Sequence, residues 1–158
     1  MRIKPPHIAL LLLLLSWLTN RAFPQFKIIN QPANRIGIII FLIGIGLMIW
    51  AFYLFKKNRT PIIPGQTPKF MVIEGPYKFT RNPMYLGVTT ALFGFSAYIG
   101  NLFSFLSPLL FLLIINVVYV PFEERLMEKI FGKKYLAYKK KVRRWIEIIY
   151  FNYSNLTI

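Results

Sequence analysis

The chain has 158 residues, 56% of them hydrophobic, more than the roughly 45–50% of a soluble domain. Twenty Lys and Arg stand against five acids, all Glu, for a formal charge of +15. With no Cys, no Asp and one histidine, His7, the composition excludes a disulfide framework, a thiolate zinc site, a Cys nucleophile, a Ser-His-Asp triad and a His/Asp/Glu metal cluster.

In chain order, the first apolar run is Ile8 to Thr19, preceded by Arg2 and Lys4. A dozen residues suit the core of a signal peptide, but Thr19-Asn20-Arg21 offers no small-x-small cleavage site. The run therefore predicts a retained helix that extends through Ala22-Phe23 and stops at Pro24. Ile36 to Phe55 is uncharged and long enough to cross about 30 Å of hydrocarbon. Gly44-Ile45-Gly46 inside it lacks a third glycine and a preceding strand, so it is no dinucleotide fingerprint. Small residues at membrane depth predict close helix packing instead. Met84 to Phe122 is apolar and interrupted by Gly100-Asn101, which predicts two helices, Met84–Ile99 and Leu102–Phe122, joined by a tight turn.

Four crossings place both termini on one side. That side collects two basic residues before the first helix, six between Lys56 and Arg81, and nine between Arg125 and Arg144; the other holds Arg21, Lys27 and Arg35. Cytoplasmic loops carry the Lys/Arg excess, so both ends are expected in the cytoplasm; the small size fits a bacterial inner membrane. The cations flank apolar spans and meet anionic headgroups there, so no nucleic acid is needed to explain them. The expected architecture is an all-α integral membrane protein of one domain, with about four transmembrane helices and a C-terminal amphipathic interfacial helix. Its parts are an N-terminal helix pair (1–56), a Pro-rich cytoplasmic loop (57–83), a helical hairpin (84–122) and a C-terminal cytoplasmic or interfacial helix (123–150).

Two segments carry candidate chemistry. In the Pro-rich loop, which includes Pro61, Pro64, Pro68, Pro76 and Pro83, Phe70 to Ile73 suits a short extended piece. Asn82 before Pro83 predicts a capped helix start. With Arg81 it makes a donor-rich pocket for a carboxylate or phosphate, or simply a capped helix with a snorkelling Arg. At the end of the hairpin, Glu123 and Glu124 lie at a low-dielectric border where unpaired charge is expensive. Adjacent helical residues point about 100° apart, so one is expected to face the bundle and the other its basic neighbours. Across Gly132, the residues Phe131, Tyr135, Tyr138, Val142, Trp145 and Ile149 follow a 4-3-4-3-4 spacing, the pattern of one helical face.

Gly75-Pro76-Tyr77-Lys78-Phe79-Thr80-Arg81-Asn82-Pro83-Met84-Tyr85-Leu86-Gly87 resembles the signature of the isoprenylcysteine carboxyl methyltransferase and phospholipid methyltransferase group. Glu123-Glu124-Arg125-Leu126, Phe131 to Tyr138 and Val142-Arg143-Arg144 resemble its second signature. The likeness covers roughly the C-terminal two thirds. It implies S-adenosylmethionine as methyl donor, no metal, and a membrane lipid or prenylated acceptor. It implies that Arg81, Asn82, Tyr85 and Gly87 line the cofactor site from one side, and Glu123, Glu124, Tyr135 and Tyr138 from the other. Arg144 matches an Arg near the acceptor, and Glu124 and Arg144 are the positions expected to act in catalysis. Many members have His at the position of Asn82 and Pro at that of Arg143. Asn does not titrate near neutrality, so a mechanism using imidazole there does not apply. A carboxylate acceptor needs no base; an amine must lose a proton, to Glu123, Glu124 or a Tyr. An inactive homologue and a structural membrane subunit are the alternatives. The enzyme reading requires the Pro-rich loop and the two glutamates to meet at one end of the hairpin.

Overall fold

The computed structural model describes residues 3–59 and 68–146. Pro61, Pro64, Glu147 and Ile149 lie outside them. Among the described residues the protein is helical, with no strand and one isolated bridge between Lys27 and Asn101. The helices are α1 (Pro5–Ala22), α2 (Ile36–Lys57), α3 (Pro83–Ile99), α4 (Leu106–Ile114), α5 (Val120–Phe131) and α6 (Lys133–Lys141). Phe70 to Ile73 has no regular structure.

Two stretches, Ala33–Lys57 and Leu102–Phe131, are long and apolar enough to cross a bilayer. The second runs through a 3₁₀ turn, α4, a π turn at Ile115–Tyr119 and α5. Pro121 lacks an N–H, so the carbonyl four residues back, at Val117, cannot receive its usual helical bond; a widened turn accommodates that loss. Helix α2 leaves Ile39, Leu42, Ile43, Trp50 and Tyr53 exposed. A face so broad and apolar is stable against lipid and costly against water.

Helices α2 and α3 meet through glycine. A Cβ on Gly44 would collide with the backbone of Ala91 and Gly87, and one on Gly94 with that of Phe41 and Gly37. Gly46, on another face, has nothing within 4 Å. The small residue at 44 thus works as its sequence suggests, and the one at 46 takes no part. The α3–α4 turn is also as expected. Gly100 adopts φ +75°, and its carbonyl accepts the Ile28 and Ile29 amides at 2.7 and 3.0 Å. Asn101 is fully buried and caps the next turn by accepting the Phe103 N–H at 3.0 Å.

Helix α1 packs on α3 and α4 through Leu12, Leu92 and Phe111 and through a Ser16–Ser107 hydroxyl bond of 2.6 Å. Helices α1 and α2 both lie on α3 without packing closely on each other. The cleft between them holds a large cavity.

The C-terminal segment departs from the expected single amphipathic helix. Gly132, at φ +51°, breaks it after α5. Helix α6 ends at Lys141, and Val142 is extended. The reason lies in the carbonyls of Arg143 and Arg144, which accept bonds from the Arg81 amide, the Thr80 hydroxyl and the Asn82 side chain. Val142 and Trp145 still turn inward, but from a strap rather than a helix.

Candidate active site

The loop before α3 and the start of α5 meet at one end of the bundle. Arg81 Nη2 lies 3.1 Å from Glu124 Oε1, and both side chains are over nine-tenths buried. Arg144 grips the same carboxylate through two nitrogens, Nε to Oε1 at 3.1 Å and Nη2 to Oε2 at 2.9 Å. Lys139 approaches it at 3.5 Å and bonds Glu128 at 2.7 Å. Glu124 is therefore surrounded by cations. Glu123 points elsewhere and accepts the Tyr85 hydroxyl at 2.5 Å. The division between a bundle-facing and a cation-facing carboxylate is the one that helical geometry required.

Asn82 begins α3, but its side chain does not cap that helix. Its Nδ2 donates to the Arg144 carbonyl at 3.1 Å, and the Thr80 hydroxyl accepts the Asn82 amide at 3.2 Å. Anchoring the strap takes precedence over local capping. Thr80 thereby joins the site, although a lone threonine in a loop gives no sequence signal for it.

Above these charges lies a cavity of about 770 Å³, within the usual range for ligand sites of about 300–1,000 Å³. Arg81, Asn82, Glu123, Glu124, Tyr77, Tyr135 and Tyr138 line its polar end. Leu10 and Leu13 of α1, Ile45, Met48 and Phe52 of α2, and Val88 and Leu92 of α3 line the rest. Neither Gly87 nor Arg144 reaches this wall. Gly87 is packed against Gly44 and Met48, and Arg144 stands behind Glu124. A smaller space of about 360 Å³ between α3 and α4, lined by residues such as Phe93 and Leu109, contains no charged group.

Burial pushes the Tyr77 and Tyr138 phenols above their ordinary value, and Tyr135 up to about 12, against the opposing charge of Arg81. All three remain neutral near pH 7 and can donate hydrogen bonds. Tyr138 already donates to the Tyr77 carbonyl at 2.7 Å. Arg81 has donors to spare: its Nε and Nη1 are buried without a hydrogen-bond partner among the described residues. Two such groups represent a substantial desolvation cost, and an anionic ligand at the polar end would offset it. No cluster of three or more metal-ligating residues occurs among the described residues.

The sequence profile described as phospholipid methyltransferase matches residues 33–134, from just before α2 into the start of α6. The chain belongs to this family. Membership of the phospholipid methyltransferase family implies methyl transfer to lipid-like substrates, here on a helical scaffold with membrane-type spans. A protein of Haemophilus influenzae described only as uncharacterized is 38% identical over 63 residues, 40% of this chain and the whole of that relative. No solved structure matches the family member described here.

Proposed function

We propose that the protein is a single-domain integral membrane methyltransferase that uses S-adenosylmethionine and methylates a lipid-like acceptor, a prenylcysteine-type carboxylate or a phospholipid amine. In this reading four helices cross the bilayer, both termini are cytosolic, and the charged end of the cavity opens at the cytosolic headgroups. The observation that carries it is Arg81: two buried nitrogens without a hydrogen-bond partner among the described residues, at the polar end of a cavity whose remaining wall is mostly apolar.

S-adenosylmethionine, when bound, supplies an electrophilic methyl group on sulfur. The open edge of Arg81 would hold its carboxylate as a charge-assisted pair. Glu123 would accept from its ammonium or a ribose hydroxyl, and the neutral Tyr135 and Tyr138 phenols would donate to remaining oxygens. The apolar cleft between α1 and α2 would take the acceptor's chain, orient its reacting atom and keep water out. Asn82 is committed to the strap and takes no proton. Glu124 is committed to three cations, which makes it a holder of Arg81 and a poor base. For an amine acceptor the proton would go to Glu123.

Replacing Arg81 with Ala is expected to weaken S-adenosylmethionine binding at least tenfold in calorimetry on detergent-purified protein, or about 1.4 kcal/mol. No detectable heat from the unmodified protein at millimolar cofactor would defeat the reading. Transfer of labelled methyl groups into separated lipid classes and prenylcysteine analogues identifies the acceptor. Binding without transfer to any of them would indicate an inactive homologue. Glu123→Gln is expected to abolish transfer to an amine while lowering transfer to a carboxylate far less, by its share of cofactor binding alone. Equal losses on both acceptors would remove Glu123 from the base role.

A further inference from the structure

Asn116 lies in the π turn between α4 and α5, inside the apolar stretch Leu102–Phe131. A carboxamide within such a stretch is costly unless it is paired. Its Oδ1 accepts two bonds, both at 3.1 Å: one from Arg144 Nη1 and one from Trp145 Nε1. The two donors are consecutive residues of the strap. The other face of the Arg144 guanidinium is fixed on Glu124, whose Oε1 in turn meets Arg81 Nη2. The π turn also brings Ile115, Tyr119 and Val120 into the core together, so the position of Asn116 is set by packing on either side.

We propose that Asn116 is a positioning residue for the anion-binding edge of Arg81. Its carbonyl takes up the surplus donor of Arg144 without adding negative charge, and it ties Trp145 at the same point. Arg144 then stays against Glu124, Glu124 stays on Arg81 Nη2, and the Nε and Nη1 edge stays free of Glu124. A free-swinging Arg144 would let Glu124 draw Arg81 into a two-pronged pair and close that edge. A carboxylate in place of the amide keeps both acceptor bonds, whereas an aliphatic side chain of similar size keeps neither. The proposal rests on the reading of the cavity as a cofactor site.

The test uses the full chain in detergent with Trp17 and Trp50 changed to Phe, so that Trp145 alone reports by fluorescence. Asn116→Leu should shift Trp145 emission to the red and weaken S-adenosylmethionine binding at least tenfold, while Asn116→Asp should keep the emission and bind within about threefold of the parent. Unchanged emission and affinity in Asn116→Leu would overturn the proposal, as would equal losses in both variants, which would make the amide a packing element. If the parent protein binds no cofactor, the reading of the cavity fails. The emission comparison still decides whether Asn116 anchors the strap: an unshifted Asn116→Leu would overturn that too.

Discussion

Glu124→Gln is expected to lower stability by about 3–5 kcal/mol, the usual cost of removing one partner from a buried ion pair, and to abolish cofactor binding. The carboxylate balances Arg81 and Arg144 directly and Lys139 at longer range. Arg81 is the most exposed to its loss, being 9% accessible, with two of its three nitrogens already without a hydrogen-bond partner among the described residues. A glutamine there offers one neutral acceptor and turns an NH₂ toward cations. Thermal unfolding in detergent measures the first effect and calorimetry the second. A variant as stable as the parent would show that solvent balances the cluster. Glu123→Gln is the contrast: its hydrogen bond among the described residues is with Tyr85, and the loss of stability should be about 1 kcal/mol, that of a single hydrogen bond.

The second large effect is expected at the α2–α3 seam. Gly44→Leu must force apart two helices whose backbones are in contact, since even its Cβ has no room beside Ala91 and Gly87. Ordinary overpacking costs about 1–3 kcal/mol because side chains can shift. Here the obstacle is main chain, so the variant is expected to lose its folded form altogether, seen as aggregation on size exclusion and no cooperative melting. Gly46→Leu, two residues along, meets open space and should change stability by no more than about 0.5 kcal/mol. Equal behaviour of the two variants would mean that the seam is not what holds α2 to α3.

These contrasts also mark what the sequence made visible. Helix α2 and the hairpin were legible because uninterrupted apolar length and a Gly-Asn break have direct physical consequences. The divergence of Glu123 and Glu124 followed from the turn angle of a helix. The strap was not legible, because Val142 and Trp145 continue the helical spacing of Tyr135 and Tyr138 while their backbone has left the helix. Carbonyl acceptors leave no trace in a sequence, so the draw of Thr80 and Asn82 on Arg144 had no signal. Asn116 escaped notice for a related reason: its importance depends on a π turn and on two donors nearly 30 residues away. Gly87 sits inside a cofactor-like motif, yet its neighbours in space are Gly44 and Met48. The resemblance named a stretch of chain much of which lines the cavity, without distinguishing residues that face that space from one, Gly87, that packs against a helix.

The strap has a bearing on biogenesis. A nascent chain that has emerged only as far as Lys141 already contains the glycine seam, the hairpin and every residue of α6, but neither the carbonyl that holds the Asn82 side chain nor the Arg144 fork on Glu124. Membrane insertion and completion of the Arg81–Glu124–Arg144 cluster are thereby separate events, the second deferred until the ribosome has delivered Arg144 and Trp145. A reporter fused directly after Lys141 should yield an inserted but incompetent protein, whereas an intact segment through Trp145 lets the pocket mature.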